Sequence, residues 1–260
     1  MNEHLPVARA FGRAARSYDE HAGVQLSVAR SLLAMIPAEA DPRHALDLGC
    51  GTAAMARPLC AHLPHCHWQG VDLSEPMLIE AASRGRLHDR YRPLCADAGA
   101  LPLAAGSQQL IFSSFALQWL ETASASAEMA RVLSPQGWLV MAVPVAGTLK
   151  ELQDSWAAVD EARHVNRLAP APEWLQALAQ HELHVVDAQT IAVTEHYPSL
   201  AAIGRMLKLT GAHHVSGRQT AGLLSPRRRR ALEQAYEMKR NEKGLPLTWQ
   251  VLFVVARKHP

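Results

Sequence analysis

Apolar residues fall along this chain in two alternating patterns, short uninterrupted runs and longer stripes at helical spacing. Val24, Val28, Leu32 and Leu33 recur at helical intervals and Pro37 ends the stretch, so the first forty residues read as helical. Ala45-Leu46 into Leu48 is strand-like and stops at Gly49-Cys50-Gly51-Thr52. The helix expected next, from Ala53, contains Pro58 and is therefore kinked or short. Trp68-Gln69-Gly70-Val71 forms a second strand ending in Asp72, after which Ser74 can cap a helix over 74–83 with Pro76 in its first turn.

The alternation continues. Strands are expected over 91–96, ending at Asp97, and over 110–112, before 115–119. A helix over about 123–133 stops at the turn Ser134-Pro135-Gln136-Gly137, and a fifth strand runs over 138–143 to Pro144. From 147 to about 180 the pattern turns helical, with Leu149, Leu152, Trp156 and Val159 on one stripe. A strand over 184–193, helices over 199–209 and 226–240, and a strong β run over 247–256 complete the chain. Strands alternating with helices predict a parallel sheet.

Composition narrows this little. The 260 residues suit one large domain, 48% of them are hydrophobic, and the formal net charge of +2 makes no global case for nucleic acid or membrane binding. Met1-Asn2-Glu3-His4 lacks a basic region leading into an apolar stretch, and no run is long enough to span a bilayer, so cytoplasmic residence is the expectation. Cys60, His62, His65, Cys66 and His67 are crowded but fit no common zinc spacing, so no metal is expected.

The candidate chemistry starts at the glycine turn. Glycines at 49 and 51 let backbone approach a ligand closely, and Asp72 ends the second strand, where an acid accepts hydrogen bonds from ribose hydroxyls. Asp47 before the turn would repel a pyrophosphate but attract the positively charged amino-acid end of S-adenosylmethionine. The string Asp47-x-Gly49-x-Gly51 resembles motif I of the class I S-adenosylmethionine-dependent methyltransferases, with Ala53 where a third glycine is usual. A methyl group there is tolerable at negative φ.

A narrower resemblance covers nearly the whole chain. Phe11-Gly12-Arg13-Ala14-Ala15, Ser17-Tyr18-Asp19, His21-Ala22 and Gln25 resemble the amino-terminal signature of the malonyl-(acyl-carrier protein) O-methyltransferases of biotin synthesis. Gln118-Trp119, Gly147, Glu151-Leu152, Trp156, Val159-Asp160-Glu161, His164 and Asn166-Arg167 continue it. Lys208, Gly211-Ala212, His214, Gly217-Arg218 and Pro246-Leu247-Thr248 complete it.

The resemblance implies a Rossmann-like α/β fold: a seven-stranded, mostly parallel sheet with an antiparallel last strand, N-terminal helices and an inserted helical cap. The expected division is a helical lid over 1–40, a cofactor core over 44–144, cap segments over 147–182 and 198–240, and a final strand over 247–257. It implies methylation of the free carboxylate of a malonyl thioester, on acyl carrier protein or coenzyme A, by S-adenosylmethionine. Asp47, Gly49, Gly51, Asp72, Leu73, Met77, Asp97, Ala98 and Tyr18 are its candidate cofactor residues. His21, Gln118, Trp119, His164, Asn166, Arg167 and Lys208 are candidates for the acceptor.

A carboxylate is already ionised near neutral pH, so alignment and desolvation suffice and no residue is assigned as a base. Tyr18, Gln118 and Trp119 are placed nearest that step. The buried anion needs a cation, and Arg167 is the first choice, its alternative being an ion pair with Glu173. Tyr18 and His21 are expected to close over the cofactor, although Tyr18 could equally pack within a helix. Gln109 entering the fourth strand is expected to be structural, and Arg227 to Arg230 fan around a helix start, too widely for one patch. Competing readings are methylation of a quinone or phenol, which wants a base beside the acceptor, and a non-catalytic nucleotide-binding protein.

Overall fold

The computed structural model describes residues 4–212 and 225–259, so His214, Gly217 and Arg218 of the resemblance lie outside the described residues. Three helices lead in: α1 (Leu5–Ala14), α2 (Tyr18–His21) and α3 (Gly23–Leu33). Then β1 (His44–Leu48), α4 (Ala56–His62), β2 (His67–Asp72), α5 (Glu75–Ser83), β3 (Tyr91–Cys95) and β4 (Gln108–Ser114) alternate. A 3-10 turn (Leu117–Trp119), α6 (Thr122–Val132) and β5 (Leu133–Pro144) follow. Helices α7 (Lys150–Ala157) and α8 (Ala171–Gln180), strand β6 (Leu183–Tyr197), α9 (Leu200–Leu209), α10 (Pro226–Glu237) and β7 (Leu245–Lys258) complete the order.

The seven strands form one sheet, β3-β2-β1-β4-β5-β7-β6. Strands β1 to β5 pair in parallel, and β7 lies antiparallel to both β5 and β6. The order reverses between β1 and β4, which puts a ligand crevice at the carboxyl ends of those strands. Strands β4, β5 and β7 are apolar on both faces because helices cover both. Val28, Leu32 and Leu59 cover one face, together with Leu152, Ile203 and Tyr236, and Met129, Trp174 and Leu178 cover the other.

Local departures from the expected elements have physical causes. Helix α4 starts at Ala56 because the turn consumes residues 51–55, and Pro58 then sits in the first turn, where its missing N–H costs nothing. The turn Ser134-Pro135-Gln136-Gly137 lies inside the strand bounds of β5 as an excursion. Its partner β4 advances only from Gln108 to Leu110 while β5 goes from Leu133 to Trp138. The helix expected from 147 to 180 is two helices, α7 and α8, with a loop over 158–170 between them. Gln109 is structural: its Oε1 accepts from the Arg43 and His44 N–H groups at 2.7 and 3.2 Å, at the start of β1. In the Cys60–His67 segment the two cysteines are buried and His62, His65 and His67 exposed, so the side chains diverge.

One register detail shapes the site. Gly70 in β2 pairs with Asp47 in β1, and Trp68 with Tyr91 in β3. A Cβ on Gly70 would lie 2.6–2.9 Å from the Tyr91 ring, so the absent side chain is what lets that ring cross β2. Replacing Gly70 by Ala should displace Tyr91 and cost about 1–3 kcal/mol through overpacking. Thermal unfolding checks this, and an unchanged melting temperature would show that the ring has room.

Candidate active site

Three adjoining cavities sit at the carboxyl ends of β1, β2 and β4. The first is lined by Asp72, Leu73, Ser74, Met77, Asp97 and Ala98, among others. The second is small and lies under the glycine turn, lined by Asp47, Gly49, Gly51, Thr52, Gln25 and Ser114. The third, about 260 Å³, opens between the sheet and the inserted helices, against about 110 and 60 Å³ for the others. Tyr18 lines all three, and Phe11, Phe115 and Trp119 separate the first from the third.

The turn is built from positive-φ residues. Gly49 has φ +77° and a Cβ there would meet Ala116 Cβ at 2.1 Å, whereas Gly51, at φ +54°, faces open space. Ala53 also has a positive φ, 54°, so the condition expected for its methyl is not met, and the left-handed conformation costs this alanine about 1–2 kcal/mol. Asp72 Oδ2 accepts from the Gly51 N–H at 2.9 Å and Oδ1 from the Ser74 N–H at 2.8 Å. These bonds tie the end of β2 to the turn and offset the upward push of burial on the Asp72 carboxyl.

Asp47 is 4% exposed and accepts a 2.5 Å hydrogen bond from the Tyr91 hydroxyl. Burial pushes its carboxyl up to about 7, opposed by the Tyr91 bond and reinforced by Asp72. The same burial, with Asp72 and Asp19 nearby, raises the Tyr18 phenol. The buried Asp47 and the half-buried Asp72 therefore share a site in which no Lys or Arg is among the described lining residues. Such a pair favours a cationic ligand.

Ser74 and Ser114 add an independent indication. Both hydroxyls are buried without a hydrogen-bond partner. Ser74 was expected to cap α5, but its side chain makes no cap bond. Ser114 went unnoticed, although two polar residues ending an apolar strand at the ligand side of the sheet were a usable signal. Asp97 lines the first cavity and its Oδ1 accepts from the Gly99 N–H at 2.8 Å. Two acids, two unsatisfied hydroxyls and an open glycine turn fit an S-adenosyl group.

The N-terminal segment is fastened to this turn. Asp19 accepts from Thr52 Oγ1 at 2.6 Å and pairs with Arg86 at 2.6 Å and Arg84 at 3.1 Å. Arg86 also donates to the Thr52 carbonyl at 2.9 Å. Tyr18, adjacent to Asp19, is thereby set where the three cavities meet. His21 is not: its Nδ1 bonds the Ser17 carbonyl at 2.9 Å, and it lines none of the cavities.

In the third cavity four of the acceptor candidates come together, Gln118, Trp119, His164 and Asn166. Gln118 donates to the Phe115 carbonyl at 2.8 Å and its Oε1 is buried without a partner. Arg167 and Lys208 do not join them. Both side chains are exposed, while their neighbours Asn166, Leu168 and Leu207 line the wall. The expected alternative for Arg167 is also not formed, because Glu173 accepts from Thr122 Oγ1 at 3.0 Å. Trp249, which sequence reasoning missed, lines the chamber with its indole N–H buried and without a partner.

A methyltransferase-domain family model matches residues 45–137. A putative methyltransferase structure from Bacillus halodurans superposes with TM-score 0.63 at 17% identity, covering 90% of this chain and all of that one. A geranyl diphosphate methyltransferase solved with S-adenosylmethionine gives 0.57 at 16% identity, covering 89% and 84% of the two chains. These likenesses concern the fold. Sequence relatives reach further: the malonyl-(acyl-carrier protein) O-methyltransferase of Alcanivorax borkumensis is 51% identical over 97% of this chain and 86% of its own. The protein of the same name from Hahella chejuensis is 36% identical over 94% and 87%. With that identity along nearly its whole length, the chain belongs to the malonyl-(acyl-carrier protein) O-methyltransferase family.

Proposed function

We propose that this protein methylates the free carboxylate of a malonyl thioester carried on acyl carrier protein, using S-adenosylmethionine. The reading is supported by the names of its relatives and rests on one structural observation. Tyr18, Phe11, Phe115 and Trp119 join a cavity suited to a cationic nucleotide to a larger chamber with no carboxylate among its described lining residues. S-adenosylmethionine supplies an electrophilic methyl on a sulfonium that is a good leaving group.

The residues do the rest. Asp72 and Asp97 receive the ribose and adenine, Met77, Leu73 and Ala98 pack against them, and Asp47 meets the amino-acid end. The backbone at Gly49 and Gly51 leaves the approach open. Tyr18 and Trp119 close the junction against water, and Gln118 and Asn166 offer polar contacts to the acceptor. An acceptor that arrives ionised needs no base, so these residues act by alignment and desolvation. Incubation with methyl-labelled cofactor and malonyl-acyl carrier protein should give a labelled, base-labile ester, with malonyl-coenzyme A as comparison and acetyl-acyl carrier protein unlabelled. No such ester under saturating cofactor would refute the assignment.

Asp47 gives a second prediction. Binding a cation selects its carboxylate form, so cofactor affinity should rise with pH up to about 7 and fall roughly tenfold per unit below it. For stability the sign is opposite. A carboxyl raised in the folded state favours folding while protonated, and that advantage is lost as pH rises from about 4 to about 7. Asp47→Asn keeps an acceptor for Tyr91 without the charge. At pH 8 without cofactor it should be more stable than the natural protein by roughly 1–4 kcal/mol, yet bind cofactor far more weakly. Calorimetric titration and thermal melts check both, and an unchanged affinity would remove Asp47 from the cofactor site.

A further inference from the structure

An anion taken into an apolar chamber needs a positive partner there. Among the described residues lining the acceptor chamber none is Lys or Arg, and His164 is the one side chain able to carry a full positive charge. We propose that His164, kept as an imidazolium by Asp160, is the cation that receives the acceptor carboxylate. This rests on the carboxyl-methylating reading above and assigns its specificity to a particular residue.

The surroundings of the ring favour its charged form. Nε2 lies 2.8 Å from Asp160 Oδ1, and a carboxylate only accepts, so Nε2 carries hydrogen. The ring stacks on Trp156, centroids 3.5 Å apart and planes within 7°, so a positive charge lies over an indole face. Asp160 is itself fixed: its Oδ2 takes a guanidinium hydrogen bond from Arg228 and its Oδ1 one from the Ala162 N–H at 2.8 Å. The His164 side chain is 6% exposed, so burial opposes the charge while strengthening the attraction of Asp160 that offsets it. From its own loop Asp160, Glu161 and Arg163 surround the ring, from α10 Arg228, and across the chamber stands the Tyr18 phenol. Glu161 and Arg163 are both exposed and opposite in sign. With Asp160 also paired to Arg228, a protonated His164 presents positive charge at the wall to an incoming carboxylate.

An Asp-backed histidine could instead deprotonate a hydroxyl acceptor, and the two roles have opposite pH signs. As receptor, His164 makes kcat/KM for malonyl-acyl carrier protein fall as pH rises and the ring loses its proton. As base, it would make the rate rise over the same range. In His164→Gln, which keeps an N–H donor without charge, KM for the malonyl thioester should rise about tenfold or more while kcat changes little. The fall with pH should disappear. Calorimetric binding of S-adenosylmethionine, and of the neutral methyl-ester product, should be unchanged. Asp160→Asn should shift the fall to lower pH and raise KM in the same sense, and it carries the test if His164→Gln does not fold. With S-adenosylmethionine saturating at every pH, a wild-type kcat/KM for the malonyl thioester that rises with pH, or a KM within about threefold of wild type in both variants, overturns the proposal. A wild-type protein that forms no ester removes the reaction assignment and the proposal with it.

Discussion

A hydrogen bond crossing two strands organises this molecule: Tyr91 in β3 reaches over Gly70 in β2 to hold the buried carboxyl of Asp47 in β1. A carboxyl placed so deep would be costly unpaired, and one neutral donor only partly offsets its desolvation. What remains is a site poised near neutrality, with Asp72 close enough to raise it further. That constraint runs outward. Asp72 is occupied by the Gly51 and Ser74 N–H groups, so the turn, the second strand end and the start of α5 are one hydrogen-bonded unit around an unmet demand for positive charge. On the proposed reading, stability given up there without cofactor is exchanged for affinity with it.

The N-terminal helices answer to the same unit by a different force. Asp19 collects Thr52, Arg84 and Arg86, and the three charged side chains are between 12% and 30% exposed. Single pairs of that kind contribute ~1 kcal/mol or less, but shared on one carboxylate they set a geometry. The consequence is steric as much as energetic, because fixing Asp19 fixes Tyr18 at the place where the cavities join. Phe11 packs beside it, tilted against Tyr18 and edge-on to Trp119.

Sequence alone located the cofactor candidates along one edge of the sheet, because these residues sit at strand ends, where position along the chain determines position in space. Asp72 and Asp97 are examples: a run of apolar residues followed by an acid puts that acid at the ligand edge of a parallel sheet. Ser74 shows the limit of such reasoning, since a serine one residue before Glu75-Pro76 looks identical whether its hydroxyl caps the helix or faces a cavity. Ala53 shows another, because nothing in composition announces a left-handed alanine. On the acceptor side the loop over 158–170 lacks any period to say which side chain turns inward. Arg167 is the first choice for the cation from sequence and His164 only one of the acceptor candidates, and packing reverses that order: the imidazole lies on the Trp156 face and the guanidinium is exposed. Trp249 looked like an ordinary buried strand residue and is one, apart from its unsatisfied N–H.

On the proposed reading the two halves of the site carry opposite demands across an aromatic wall. Acids at the ends of β1 and β2 favour a cation, while the inserted helices and their loop present a single ring that can favour an anion. Transfer of a methyl from a cation to an anion consumes both charges, so the transition state is less polar than the separated reactants. Water would stabilise those reactants more than the transition state and slow the step. Walls of Phe11, Phe115, Trp119, Trp156 and Trp249 exclude it, and they do so at little cost because the charges they would otherwise leave stranded are each met from the opposite side. The division of the chain into a core that holds the donor and inserted helices that hold the acceptor is thus also a division of charge.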